Sequence, residues 1–244
     1  MMSAMLKLSG VFKRFGALVA IDNLSMHLDE GEVLGVIGPN GSGKTTMFNI
    51  LTGITKADQG RVLFEGTDIT HLQAFERSRR GIARSFQIPR PFAGMSVFEN
   101  LLVGATFAGR KPERVVYNRC VHVLEETGLL AKSNVLAGRL TLLDRKRLEL
   151  ARALATNPRV LLLDEIAGGL TEQECLVLIE EIIRIRQRGV SIIWIEHVVH
   201  ALLVVADRLT VFNFGKRIAD GEPRTVMASR AVKEIYLGRE EDAI

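Results

Sequence analysis

The sequence predicts an α/β fold: a mostly parallel sheet with flanking helices, an antiparallel β part and an inserted helical subdomain. Three observations carry that reading. An apolar run at residues 33–37 passes through GPNGSGKTT into a helix-like segment at 47–52. Two more apolar runs, at 160–163 and 190–195, are short enough for buried parallel strands and end in Asp164-Glu165 and Glu196-His197. Between them and the first part of the chain, from residue 88 to 159, strand signals vanish and three segments look helical.

Strand, glycine-rich turn and helix together make residues 38–46 a phosphate loop, so the core reads as that of a P-loop NTPase. Gly38, Gly41 and Gly43 let the backbone curl through Pro39, Asn40 and Ser42 until successive N–H groups face one concavity. The helix that starts there adds its positive end. Lys44 supplies a point charge for β- and γ-phosphates, and the Thr45 hydroxyl, followed by Thr46, can ligate Mg²⁺. A nucleoside triphosphate site is expected.

At 244 residues the chain is one large domain or two small ones. No apolar stretch approaches the length that spans a bilayer, which excludes a channel or permease, and the first residues lack the layout of a signal peptide. Cys120 and Cys175 have neither disulfide nor metal spacing and suit a reducing compartment as free thiols. The net charge of +4 comes with dispersed arginines, so no nucleic-acid partner is expected.

In chain order, residues 6–12 and 23–28 alternate as half-buried strands. Between them Phe15 stands at a glycine turn, where it reads as a core residue or as a platform for a base. A strand is expected at 61–64, a helix at 71–80 closed by Gly81, and a strand at 82–86 that runs into Gln87. The helical segments fall at 98–107, 114–127 and 144–155. Asp164, at the end of a buried strand, can hold the water shell of Mg²⁺, and Glu165 is placed to take a proton from water; a solvated turn is the plain alternative. Thr171 and Glu174 form a capping box for a long helix to residue 188. A hairpin follows at 208–219, then a short helix and a tail. Gln87, Glu165 and His197 each close a β-run. In a parallel sheet those ends share one edge, beside the phosphate loop.

This order of motifs resembles the ATP-binding subunits of ABC transporters along nearly the whole chain: Phe15, the phosphate loop, Gln87, a helical subdomain, a signature region, VLLLDE and His197. The resemblance implies that Phe15 stacks on adenine, that Gln87 senses Mg²⁺ and the membrane partner, that Glu165 is the general base, and that His197 fixes the γ-phosphate and attacking water. Thr45 and Gln87 would be the direct protein ligands of Mg²⁺. ARSFQIPRPFAGMSVFENLLVGA, RLELARAL, DEIAGGL, IEH and YLG look like the branched-chain or hydrophobic amino acid importer branch. The implied organisation is a nucleotide-binding core in two parts, 1–87 and 157–225, a helical subdomain at 88–156 and a C-terminal helix and tail at 226–244. The implied partners are a second ATP-binding subunit, transmembrane permease subunits and, indirectly, a solute-binding protein, with the chain held at the cytoplasmic face of the membrane.

One departure stands out. Where the family has LSGGQ, a turn that reaches the other subunit's γ-phosphate, residues 140–144 read LTLLD. Thr141 keeps a hydroxyl for that nucleotide, but Leu143 replaces a glycine and Asp144 an amide. Asp144 is expected to cap a helix over 145–155 and to repel a phosphate, which favours a heterodimer over a homodimer. Ile166 stands where a proline is common. Two other functions fit less well: a soluble ABC switch normally has two cassettes, and a P-loop kinase has no use for a glutamate placed to activate water.

Overall fold

Apolar residues alternate with polar ones at 6–12 and 23–28, and residues 6–28 fold as a long hairpin of β1 (Leu6–Phe15) and β2 (Leu18–Leu28). The computed structural model describes residues 4–109 and 111–237. β4 (Gln59–Phe64) and β5 (Thr67–Asp68) complete an antiparallel sheet in the order β2-β1-β4-β5. The hairpin is longer than the sequence suggested. Its turn at Gly16, with φ of 58°, brings both strands up to Phe15 and Leu18.

The second sheet contains β3 (Val33–Ile37), β6 (Ile82–Arg84), β7 (Val160–Asp164), β8 (Ser191–Ile195), β9 (Arg208–Asn213) and β10 (Lys216–Gly221), in the order β10-β9-β3-β8-β7-β6. All neighbours are parallel except the β9–β10 hairpin. β3, β7 and β8 are buried along their whole length, which is why they read as apolar runs without alternation. The alternation is hidden inside them. Leu34, Val36, Leu162 and Ile193 face a core shared with the antiparallel sheet, and Val33, Ile37, Leu161 and Trp194 face a second core on the other side.

Helix α1 (Lys44–Thr52) fills the first core with Met47, Phe48, Ile50 and Leu51. Its C-terminal carbonyls at Ile50 and Leu51 accept from the guanidinium of buried Arg77, at 2.6 and 3.0 Å. Arg77 belongs to α2 (Ala74–Arg79), shorter than expected, which begins at a Gln73–Glu76 capping box. The second core takes α3 (Val97–Gly109), α4 (Glu113–Glu126) and α5 (Leu142–Ala155), which lie between β6 and β7 in sequence. Leu101, Val123, Leu148 and Ala151 join the cluster that contains Leu161 and Trp194, so these helices share a core with the sheet. Each fully buried leucine there contributes roughly 1.5–3 kcal/mol.

Thr171 and Glu174 form the capping box foreseen for α6 (Glu172–Gln187). α7 (Val199–Val205) had no sequence signal of its own, because seven mostly apolar residues, rich in valine and leucine, read equally as strand. α8 (Pro223–Ala228) and α9 (Arg230–Leu237) follow β10. Residues 238–244, with the glycine of YLG and the tail, lie outside the described residues, as do 1–3. Among the described residues, no helix is long and apolar enough to cross a membrane.

Candidate nucleotide site

β3 delivers the chain into the phosphate loop, and two glycines show why no other residue serves there. A Cβ on Gly38, at φ of 152°, would stand 2.2 Å from the Phe212 carbonyl. One on Gly43, at φ of 105°, would stand 2.5 Å from the Ala20 carbonyl. The loop is thus wedged between β9 and β2, and α1 starts at Gly43 with no side chain capping its first turn. Its open N–H groups face the anion nest. Lys44 is buried, and its ammonium donates to the carbonyls of Gly38 (2.6 Å) and Pro39 (3.0 Å).

One cleft of about 590 Å³ is lined by the loop from Asn40 through Gly41, Ser42, Gly43, Lys44 and Thr45 to Thr46, and by Phe15, Gln87, Glu165 and His197. Phe15 is 51% exposed, which overturns the core reading and leaves its ring open to a flat partner. The Lys13 ammonium stands 5.2 Å from that ring's centroid.

The tips of β6, β7 and β8 meet at the cleft as the parallel order requires. Glu165 leaves β7 in the left-handed region, with φ of 48°, a conformation that costs a non-glycine residue roughly 1–2 kcal/mol. It is held there by its own N–H, which donates to the Ile195 carbonyl at 2.8 Å. The carboxylate is gripped from two sides. Oε1 lies 2.7 Å from Nε2 of His197, and Oε2 accepts from the Gln87 amide. The three strand-end residues therefore meet at one carboxylate, with water reaching a Glu165 side chain that is 16% exposed.

Asp164 does not line this cleft. It is buried and paired with Arg84, Nη2 to Oδ2 at 2.5 Å, while Nη1 of Arg84 donates to Asn49 on α1 at 2.7 Å. Asp164 lines an adjoining cavity of about 420 Å³ together with Thr45 and Gln87, which face both spaces. A hydroxyl, an amide oxygen and a carboxylate make an oxygen-only donor set suited to a hard cation. Among the described residues no three His, Cys, Asp or Glu side chains cluster as a metal cage, so a metal here would need most of its ligands from phosphate and water. That is how Mg²⁺ is usually held.

Comparison with known proteins decides the family. The model for the ABC transporter family matches residues 21–168. The chain belongs to that family.

Among similar ABC proteins, the high-affinity branched-chain amino acid transport ATP-binding protein BraF of Pseudomonas aeruginosa is 36% identical over 248 residues, covering 96% of this chain and 97% of its own. The corresponding protein LivG of Escherichia coli is 36% identical over 253 residues, 98% of this chain and 99% of its own. Among solved structures, an ABC transporter cassette in its ADP conformation superposes with a TM-score of 0.89 at 34% identity, covering 97% of this chain and 99% of its own. A nucleotide-free ABC cassette gives 0.88 at 33% identity, over 96% and 99%. The α/β fold with its inserted helices is therefore that of an ABC cassette, and the chain is an ABC ATPase that works with membrane permease components.

The altered signature of this ABC cassette differs from its expected form. Thr141, not Asp144, is the N-cap of α5, and its Oγ1 accepts from the Asp144 N–H at 3.3 Å. The helix starts three residues earlier, because a threonine hydroxyl at that spacing satisfies the first turn. Asp144 is 3% exposed, its Oδ2 taking the Lys132 ammonium at 2.5 Å and the Thr141 hydroxyl at 2.9 Å. Its charge is thus balanced within the subunit, and the expected repulsion of a phosphate loses its source. The hindrance that remains is steric, from Leu142, 49% exposed, and half-buried Leu143. Thr141 does not line this chain's own cleft. No local pattern marked Arg84, Lys132 or Lys146, and Glu196, placed with His197 at a strand end, was assigned no role.

Proposed function

We propose that this chain is the ATP-hydrolysing subunit of an importer for branched-chain amino acids or related small solutes, held at the cytoplasmic face of the membrane by permease subunits. A solute-binding protein delivers cargo from the other side. The observation that carries the reading is the Glu165 carboxylate held between His197 and Gln87 at the edge of the cleft that the phosphate loop lines. The branched-chain transport relatives, matched over nearly the full chain, support the cargo class.

In that reading adenine stacks on Phe15, and phosphates enter the nest from Gly38 to Thr46. Lys44 turns from the carbonyls of Gly38 and Pro39 to the β- and γ-phosphates, exchanging neutral acceptors for charged ones. Thr45, Gln87 and Asp164 are the oxygen donors that would hold Mg²⁺, which would supply charge neutralisation along the phosphates. Glu165 takes the proton of the attacking water, and His197 orients Glu165 and that water against the γ-phosphate. The groove beside Gln87 connects this chemistry to the permease.

A heterodimer is the favoured assembly. Leu142 and Leu143 keep a partner's phosphate from the backbone N–H groups of α5, so a second ATP-binding subunit with a glycine-rich signature completes the site of this chain. Thr141, whose hydroxyl donates to Asp144 in this chain, reaches the partner's nucleotide only by turning its proton away from that carboxylate.

The test is reconstitution of the whole complex in liposomes. Leucine uptake should require ATP and be abolished by Glu165→Gln. ATP turnover that ignores both permease and solute would establish a soluble switch instead.

A further inference from the structure

Glu196 is 1% exposed and stands between two catalytic loops without entering the cleft. Its Oε1 accepts from the Ala167 N–H at 2.6 Å, two residues past Glu165. Its Oε2 accepts from the His197 N–H at 2.9 Å and from the Val198 N–H at 3.4 Å. One carboxylate thus ties the loop that carries the base to the loop that carries the histidine. Its own N–H donates to the Val36 carbonyl at 3.3 Å, which anchors the bridge to the strand feeding the phosphate loop.

The fourth element comes from the helical insertion. Lys146, on the second turn of α5, is 5% exposed and donates to the Glu165 carbonyl at 3.4 Å. Burial holds the Lys146 ammonium below its ordinary range, and the nearby Glu196 carboxylate, with Glu165 after it, opposes that shift. The Ala167 carbonyl meanwhile accepts the Cys175 thiol at 3.8 Å. The two peptides after Glu165 are therefore each held from outside the loop: the Glu165 carbonyl by Lys146 of the signature helix, and the Ala167 N–H by Glu196. Glu165 holds a left-handed backbone conformation. A loop in such a state keeps its geometry only when its neighbours over-determine it.

We infer that Glu196 and Lys146 are a positioning pair that sets the Glu165–His197 geometry and links it to the seating of the signature helix. Neither touches the nucleotide. The pair acts on kcat, by holding the carboxylate and imidazole 2.7 Å apart, and leaves nucleotide binding to the phosphate loop. Because Lys146 rides on the helix whose first turn faces the partner subunit in the proposed dimer, that contact has a rigid route to this chain's own base. This last step rests on the transporter reading above; the pairing itself does not.

The experiment uses the full chain assembled with its partner subunits and compares wild type, Glu196→Gln, Lys146→Met and the double variant. An amide cannot accept at both oxygens, so Glu196→Gln keeps the shape and breaks one side of the bridge. We expect kcat to fall about 10- to 100-fold, the scale set by small misplacements of catalytic groups, while MgATP affinity and Tm hold. Lys146→Met should act in the same direction, and the double variant should lose less than the product of the two single losses. Wild-type kcat in Glu196→Gln overturns the inference, as does loss of kcat in step with Tm or with nucleotide affinity, which marks a merely structural acid. Multiplicative losses in the double variant overturn the pairing. A wild-type complex that hydrolyses ATP without transport would sink the importer reading and leave the Glu196 arm intact.

Discussion

Oε1 of Glu165 lies 2.7 Å from Nε2 of His197, across the tips of two neighbouring parallel strands. The two residues are 32 positions apart in sequence, and only the pairing of β7 with β8 makes them neighbours. With Gln87 on the other carboxylate oxygen, the Glu165 side chain is held at the edge of the cleft from both sides.

Glu165→Gln should therefore keep the shape and remove the proton acceptor. Hydrolysis at this chain's own phosphate loop should drop ~10²–10⁴-fold while MgATP still binds. Single-turnover hydrolysis and equilibrium binding on the assembled complex check it. A wild-type rate in the variant would place the base elsewhere.

Lys44→Ala removes a buried cation from the phosphate nest. Affinity for MgATP should weaken by about 1.5–3 kcal/mol, the scale of hydrogen bonds to charged groups. Calorimetric titration reads it directly, and unchanged affinity would take Lys44 out of the site.

Lys132→Met deprives the buried Asp144 carboxylate of its nearest cation. Because Lys132 is 46% exposed and solvent already screens the pair, the loss should be about 1–2 kcal/mol, below that of a fully buried pair. Urea midpoints measure it, and adding Asp144→Asn should recover most of the loss. Equal midpoints for wild type and Lys132→Met would show that Asp144 is balanced elsewhere.

Burial of Glu181 between α5 and α6 pushes its carboxyl above the ordinary range, with Arg147 opposing at 2.9 Å. The folded chain then binds this proton more tightly than the unfolded chain does. Stability falls as pH rises from the ordinary value near 4.5 through the raised folded value. Glu181→Gln should flatten that part of the stability profile, seen by chemical denaturation at a series of pH values. An unchanged slope would assign the proton to another group.

The phosphate loop, the buried strands and the capping box at Thr171 were legible because each is a local pattern. Glycines at fixed spacing, an unbroken apolar run and a hydroxyl three residues before a glutamate announce their own geometry. Asp144 misled for the opposite reason. An acid near a helix start is a good cap in isolation, but Thr141 stood at the better position, and Lys132 came from a separate turn to take the charge. α7 was lost because seven mostly apolar residues are too few to carry a period that separates helix from strand.

What the sequence by itself determined is the chemistry on offer: a triphosphate cradle, an acid at the end of one strand, a histidine at the end of another, and the order that marks the ABC family. What the tertiary structure decided is which of those groups touch. The Arg84–Asp164 pair joins residues 80 positions apart, and the Lys146–Glu165 contact joins an inserted helix to a strand tip. Such contacts depend on strand order and on helix packing over a shared core. Those are properties of the whole chain's burial, and no window of residues encodes them.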